Sequence, residues 1–217
     1  MSYSLNTLIL DPLSKKKAEN AVILCHGYGG DGKAISSLAA YWRNYLTETV
    51  FFCPDAPEVC AINPNGFQWY DLEDDSPDTI LSKSLVAEIK LNRFIDDIKK
   101  NLSLPSKKIA IGGFSQGSMI SLQTGLKRED KINCVIGYSG KVIDTNHLQN
   151  NIKSKPNIIL MHGDNDEVVP VSFLLEAKDF FNKANYKIET KIFNNCGHHI
   201  PREGSSLGLE FLKKNFY

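Results

Sequence analysis

Ser115 lies in Gly113-Phe114-Ser115-Gln116-Gly117, after the apolar run Lys108–Gly112 and before Ser118-Met119-Ile120-Ser121-Leu122. The pattern reads as a strand, a G-x-S-x-G turn and a helix. A serine on so sharp a turn has its hydroxyl pushed into the open, and the flanking glycines permit the bend. The N–H of Gln116 then falls at a helix start, where unpaired donors and the helix dipole favour negative charge. A hydroxyl is still a poor nucleophile until a neutral imidazole takes its proton and a carboxylate holds that imidazole in the right tautomer. The motif alone recurs by chance in roughly one chain in ten of this composition, so its meaning depends on the residues downstream.

Two later segments supply a base and an acid. His162-Gly163-Asp164-Asn165-Asp166-Glu167-Val168-Val169-Pro170 comes after the strand-like run Asn157–Met161, and Asn194-Asn195-Cys196-Gly197-His198-His199 after Lys187–Phe193. The order serine, aspartate, histidine, each just past a strand, is the chain order of α/β-hydrolases. In a parallel sheet those strand ends share one edge, so residues far apart in sequence converge there. The spacing leaves Asp164 and Asp166 as alternative acids, and His198 and His199 as alternative bases.

The elements needed to position these groups are present. Further strand-like runs are Ala21–Cys25, Thr49–Cys53 and Asn133–Tyr138, with Leu5–Leu10 as a candidate edge strand. They alternate with helical patterns at Lys33–Leu46, Pro77–Leu102, Gln116–Lys127, Val171–Ala184 and Glu203–Asn215. Such alternation predicts an α/β fold around a parallel sheet. The second helix has Ser76 as its expected N-cap and Pro77 at its first position. Its residues Leu81, Leu85, Ile89, Ile98 and Leu102 predict the buried face. Pro54–Ser76 and Ser139–Pro156 read as long irregular segments. The 217 residues predict a single domain, 1–217. The 25 basic and 25 acidic residues balance, which gives no reason to expect nucleic acid as a partner. No apolar run approaches the ~18 residues of a membrane span. Met1-Ser2-Tyr3-Ser4-Leu5-Asn6 lacks the basic and apolar regions of a signal peptide. Five scattered cysteines without a C-x-x-C pair complete the expectation of a reduced, cytoplasmic protein. A homodimer is compatible with the sequence.

The chain resembles the carboxylesterase, acyl-protein thioesterase and lysophospholipase family of small α/β-hydrolases. The likeness is carried by His26-Gly27, Gly113-Phe114-Ser115-Gln116-Gly117, His162-Gly163-x-x-Asp166-x-x-Val169-Pro170 and Gly197-His198, with Pro54-Asp55-Ala56-Pro57 and Gln68-Trp69-Tyr70-Asp71 in support. The resemblance implies an α/β-hydrolase fold with a mostly parallel central sheet and helices on both faces. It selects Asp166 and His198 as the partners of Ser115, and pairs the backbone N–H of Tyr28 with that of Gln116 as oxyanion donors. Two departures stand out. Ser118 replaces a second glycine usual after the elbow, and Gly27-Tyr28-Gly29-Gly30-Asp31 carries an extra glycine.

That first loop also has a competing reading. Gly27-Tyr28-Gly29-Gly30-Asp31-Gly32 is a literal G-x-G-x-x-G after a strand, with Asp55 beyond the next strand, as in a dinucleotide-binding oxidoreductase. It nearly spells a phosphate-binding P-loop too, but Ala34 stands where a magnesium-binding hydroxyl belongs. A dinucleotide site gives no reason for the Ser115, Asp166 and His198 set, and Pro54 interrupts the strand ahead of Asp55. A metal site on Cys196, His198 and His199 lacks a second ligand cluster. His26 is expected to hydrogen-bond loop backbone. Larger α/β-hydrolases insert a cap where Ser139–Pro156 stands, and that segment is too short for one, so an open site without a cap domain is expected. Trp69 is either an aromatic wall for an acyl chain or an anchor that pins its loop to the core. Glu73-Asp74-Asp75 reads as a solvated turn. The function expected is a serine esterase or thioesterase acting on a small-molecule ester or acyl substrate through an acyl-enzyme on Ser115, without cofactor or metal. The alternative from another class is a catalytically silent binding module of the same fold.

Overall fold

The computed structural model describes residues 2–217. Nine strands and six helices run in the order β1 (Thr7–Leu10), β2 (Asn20–Cys25), α1 (Gly32–Trp42), β3 (Thr49–Pro54), β4 (Glu58–Cys60), β5 (Asn63–Gln68), α2 (Pro77–Leu102), β6 (Ile109–Phe114), α3 (Gln116–Lys127), β7 (Cys134–Tyr138), α4 (Thr145–Asn151), β8 (Asn157–Gly163), α5 (Ser172–Lys183), β9 (Glu189–Phe193) and α6 (Arg202–Phe216). The main sheet runs β1-β3-β2-β6-β7-β8-β9 and is parallel except for the antiparallel edge pair β1–β3. This is the α/β-hydrolase arrangement expected from the sequence.

Alternation along each strand builds two cores. In β2, Ala21, Ile23 and Cys25 join one cluster with α2, α3, α4 and α5, while Val22 and Leu24 join another with α1 and α6. Burial on both faces explains why the central strands read as continuous apolar runs. It also pushes the Cys25 and Cys53 thiols up to about 12 and the Cys134 thiol upward, so all three stay protonated.

Several expectations need correction. Pro54–Ser76 is not irregular throughout: β4 and β5 form a separate two-stranded sheet there. Ser139–Pro156 carries α4, capped by Asp144, whose carboxylate accepts from His147 N. Helix α1 stops at Trp42 instead of Leu46, because the Asn44 side chain takes the Ala40 and Tyr41 carbonyls. Ser76 sits at the N-cap of α2 but donates to Thr79 Oγ1, and makes no capping bond. The buried face of α2 is Ile80, Ser84, Ala87, Glu88, Leu91, Phe94, Ile95 and Ile98, whereas Ile89 is exposed. That face carries polar residues because α3 satisfies them: Gln123 donates to Glu88 and Ser84, and Lys127 pairs with Glu88 at 2.8 Å.

The packing that matters most for the site lies between β6–α3 and the end of β2. A Cβ on Gly117 would stand 2.2 Å from the Cys25 carbonyl oxygen, and one on Gly113 would stand 2.5 Å from the same atom. Both glycines of the serine motif are therefore demanded by close approach as well as by the turn. Gly117→Ala should destabilise the fold by about 2–3 kcal/mol or more through overpacking against backbone, measurable as a lower urea midpoint at unchanged m-value. An unchanged midpoint would contradict the packing described.

Candidate active site

Ser115 is the single residue between β6 and α3, held at φ 52° and ψ −120°. That is a strained conformation for a residue with a Cβ, of the kind that persists where surrounding structure enforces it. Its own N–H is tied to the Tyr138 carbonyl at 2.8 Å. Ser118, at the first departure from the family pattern, is accommodated by glycines: a Cβ at Gly137 or Gly140 would lie 2.5 Å from its hydroxyl.

The loops after β8 and β9 bring the other two groups in. Ser115 Oγ lies 3.0 Å from His198 Nε2, and His198 Nδ1 lies 2.7 Å from Asp166 Oδ2. A carboxylate only accepts, so Nδ1 carries the proton and Nε2 is left free to accept from the serine hydroxyl. The imidazole rests against Phe114, with ring centroids 4.7 Å apart. Asp166 is almost wholly buried. Its Oδ1 accepts from Val168 N at 3.0 Å and Val169 N at 2.8 Å, while His162 Nε2 stands 3.4 Å from Oδ2. Burial alone would raise its pKa, but the His198 hydrogen bond and the two valine N–H groups outweigh it, and the net shift is downward.

The neighbouring candidates lie outside this chain of bonds. Asp164 is exposed, and its Oδ1 accepts from Cys196 N, tying the two loops together. His199 is exposed and its Nε2 lies 3.7 Å from Cys196 Sγ. Both ring nitrogens of His198 are engaged by Asp166 and Ser115, which leaves no nitrogen for a metal shared with Cys196 and His199.

At the first loop, His26 behaves as expected: Nδ1 donates to the Gly27 carbonyl at 2.7 Å and Nε2 accepts from Ala56 N at 2.9 Å. Desolvation lowers its pKa, which keeps it neutral and able to fill both roles. The N–H groups of Tyr28 and Gln116 have no protein acceptor among the described residues. The dinucleotide reading meets a physical obstacle here. Asp31 caps α1 through Ala34 N, and Asp55 accepts from Gly32 N at 2.8 Å, so two carboxylates already occupy the helix start where a pyrophosphate would lie.

Trp69 is a correction. It is 0 % exposed, its indole N–H donates to the His26 carbonyl at 3.0 Å, and it lines neither groove at the site. Of its two expected roles, the anchor is the one that the packing supports. The walls come from other residues. One groove of about 520 Å³ reaches Ser115 between Tyr70, Leu72, Ile80, Met119, Val169 and Phe173. A second, of about 500 Å³, opens beyond His198 between Ile35, Leu38, Ile200 and Arg202. Met119 had a readable signal, lying four residues after Ser115 on a helix face, and Tyr70 lay in a recognisable segment. Phe173 and Leu72 had none, because only the tertiary fold aims them at the serine.

Comparison with known proteins agrees with this geometry. Residues 12–216 match the model of the phospholipase/carboxylesterase family. Acyl-protein thioesterase 1 of Saccharomyces cerevisiae is 30% identical, over 91% of this chain and 93% of that protein. The Schizosaccharomyces pombe protein of the same name is 28% identical over 94% and 93%. The crystal structure of esterase PE8 superposes with a TM-score of 0.92 at 33% identity, covering 97% of this chain and 99% of that one. Zea mays acyl-protein thioesterase 2, at 21% identity and a TM-score of 0.76, shares the fold. With a family match across nearly its whole length and a serine, histidine and aspartate linked in one hydrogen-bonded line, the chain belongs to the phospholipase/carboxylesterase family and is a serine hydrolase of ester or thioester bonds.

Proposed function

We propose that Ser115, His198 and Asp166 form the catalytic triad, with the backbone N–H groups of Tyr28 and Gln116 as the oxyanion hole, in one domain spanning residues 1–217. The observation that carries this reading is the unbroken line from Ser115 Oγ through His198 to Asp166, at 3.0 and 2.7 Å, starting on a strained serine. His198 Nε2 takes the hydroxyl proton as Oγ bonds to the carbonyl carbon, and the oxyanion turns to the two N–H groups. The same nitrogen then returns the proton to the leaving oxygen or sulfur as that bond breaks. Water then gives a proton to His198 Nε2 as its oxygen bonds to the acyl carbon, and Nε2 passes that proton to Ser115 Oγ as the Oγ–acyl bond breaks and the acid is released. The proton donor fixes the leaving group on the histidine side, in the groove beside Ile200 and Arg202. The acyl chain lies in the groove between Tyr70, Met119 and Phe173. The five cysteines are all free thiols, which supports a reducing compartment such as the cytoplasm, and no described helix is long and apolar enough to cross a membrane.

Ser115→Ala should abolish labelling by a fluorophosphonate and nearly all ester hydrolysis without unfolding the protein. His198→Ala should cost on the order of 10⁴-fold in turnover, because triad members act as a unit, while His199→Ala and Asp164→Asn keep most activity. Comparable losses at His198 and His199 would refute the assignment.

The lowered pKa of Asp166 has a direction in stability. A carboxylate whose folded pKa lies below its ordinary 3.8 stabilises the fold above that value, and the benefit fades as pH falls through the folded pKa. Urea unfolding of wild type and Asp166→Asn should therefore differ most near neutral pH and converge as pH drops below 3.8. A gap that widened towards acid would be incompatible with this account.

A fully desolvated methylene is worth about 0.8 kcal/mol, close to fourfold in kcat/KM. An open groove covers part of each, so nitrophenyl esters of increasing length should gain roughly twofold per carbon and then level off. Phe173→Ala should lower kcat/KM progressively more as the chain lengthens. Equal losses at every length would make Phe173 a packing residue only.

A further inference from the structure

The two proposed oxyanion donors come from the loop after β2 and from the first residue of α3, and one segment, Phe67–Tyr70, hydrogen-bonds to both places. Towards the first loop, Gly29 N donates to the Phe67 carbonyl at 2.9 Å and Phe67 N donates to the Gly30 carbonyl at 2.7 Å, an antiparallel bridge that adds the loop to the β4–β5 hairpin. Asn63 Nδ2 donates to the Gly29 carbonyl at 2.8 Å. The approach is close enough that a Cβ on Gly66 would stand 2.1 Å from the Gly29 oxygen. Trp69 Nε1 donates to the His26 carbonyl at 3.0 Å. Towards the elbow, the Gln116 side chain accepts from Trp69 N at 2.8 Å and donates to the Tyr70 carbonyl at 2.7 Å.

These bonds fix the loop on both sides of Tyr28 without using the Tyr28 N–H. Around Tyr28 the carbonyls of His26, Gly27, Gly29 and Gly30 and the N–H groups of Gly29 and Gly30 are all paired, while the Tyr28 N–H is not. Two N–H groups stabilise an oxyanion only when they already converge on one point, since donors that must reorient as charge develops give up much of the gain. A glycine-rich loop has no such order of its own.

We propose that Trp69 and the side chain of Gln116 are positioning residues that clamp the two oxyanion donors to a common strap, Phe67–Tyr70. This rests on the assignment of the Tyr28 and Gln116 N–H groups to the hole. The requirement at position 116 is specific. The strap presents an N–H and a carbonyl, and a carboxamide answers both at once, which a carboxylate or an apolar side chain does not. Neither side chain touches substrate, for that of Gln116 is spent on the strap and that of Trp69 is buried beneath the loop.

The test compares Trp69→Phe and Gln116→Met with wild type on an oxoester and on the thionoester of the same acid and alcohol. Sulfur is the poorer hydrogen-bond acceptor, so the thionoester transition state draws less on the hole. Removing an oxyanion donor outright costs about 10²–10³ in kcat, so displacing one should lower oxoester kcat by roughly tenfold. KM should change little, and the thionoester should lose far less, so that the oxo-to-thiono ratio falls in both variants. The double variant should lose less than the product of the single losses, because both act through one strap. Equal losses on both esters, or an unchanged kcat, would overturn the proposal. Gln116→Met removes no buried ring, so the test stands on that variant if Trp69→Phe does not fold. A wild-type enzyme without preference for the oxoester would overturn the hole assignment itself, and that outcome is read before any variant is made.

Discussion

The site depends first on the approach of the β6–α3 turn to the carbonyl of Cys25. Gly113 and Gly117 both face that oxygen with no room for a Cβ, so strand and helix meet β2 backbone to backbone. One residue is left to reverse the chain, and Ser115 does so at φ 52°. A non-glycine residue in that region costs of the order of 1–3 kcal/mol and would relax if its flanks could move. They cannot, because α3 is buried along residues 116–126 and Ser115 N is tied to β7. The same contact sets the end of β2 beside the start of α3, so the loop after Cys25 opens next to the serine. The proposed nucleophile and oxyanion donors are thus two results of a single packing constraint.

The two helix starts near the serine differ in charge, and that difference decides what each can hold. The start of α1 is filled by the chain's own carboxylates: Asp31 accepts from Ala34 N, and Asp55 from Gly32 N. An incoming phosphate there would meet two negative charges. The start of α3 has no acidic residue in its first turn, and the N–H of Gln116 is unpaired among the described residues. Helix dipoles favour anions at both places, but only the second is free of the chain's own carboxylates. The glycine spacing of the first loop cannot express this, since G-x-G-x-x-G records where backbone is free of side chains and not which N–H groups remain unsatisfied.

The parts of the fold that the sequence made legible are those governed by short-range pattern. Strands buried on both faces appear as apolar runs, the strand–turn–helix around Ser115 appears in ten residues, and the sheet edge gathers the loops holding Asp166 and His198 in chain order. What escaped was governed by distant partners. β5 begins at Asn63-Pro64-Asn65-Gly66, a turn-like composition, and is a strand because it pairs with β4 and, through Phe67, with the Gly30 backbone. The inner face of α2 includes Ser84 and Glu88, which no periodicity argument would bury without knowing that Gln123 and Lys127 receive them. Local sequence divides Trp69 evenly between wall and anchor, and a carbonyl forty-three residues away in sequence decides it. Choosing Asp166 over Asp164 and His198 over His199 needed the family pattern, because adjacent loop residues share every local property except the direction in which the backbone aims them.

A site with no cap domain must get its dry electrostatic environment from below. Asp166 is buried at 5 % exposure with Oδ1 on two valine N–H groups and Oδ2 on His198, so its charge is held without bulk water. One flank of the imidazole is shielded by Phe114. In the proposed triad, the half that would orient and stabilise the imidazolium is therefore dehydrated before substrate arrives, while the half that would meet the ester stays open. Water is excluded from that upper half by whatever fills the two grooves. Because both grooves reach His198 and neither is an enclosed cavity, neither the acyl chain nor the leaving group is limited by a closed volume. Selectivity in such a site comes from the apolar contact that each arm of the substrate makes along its groove, and the serine chemistry at the junction is common to all of them.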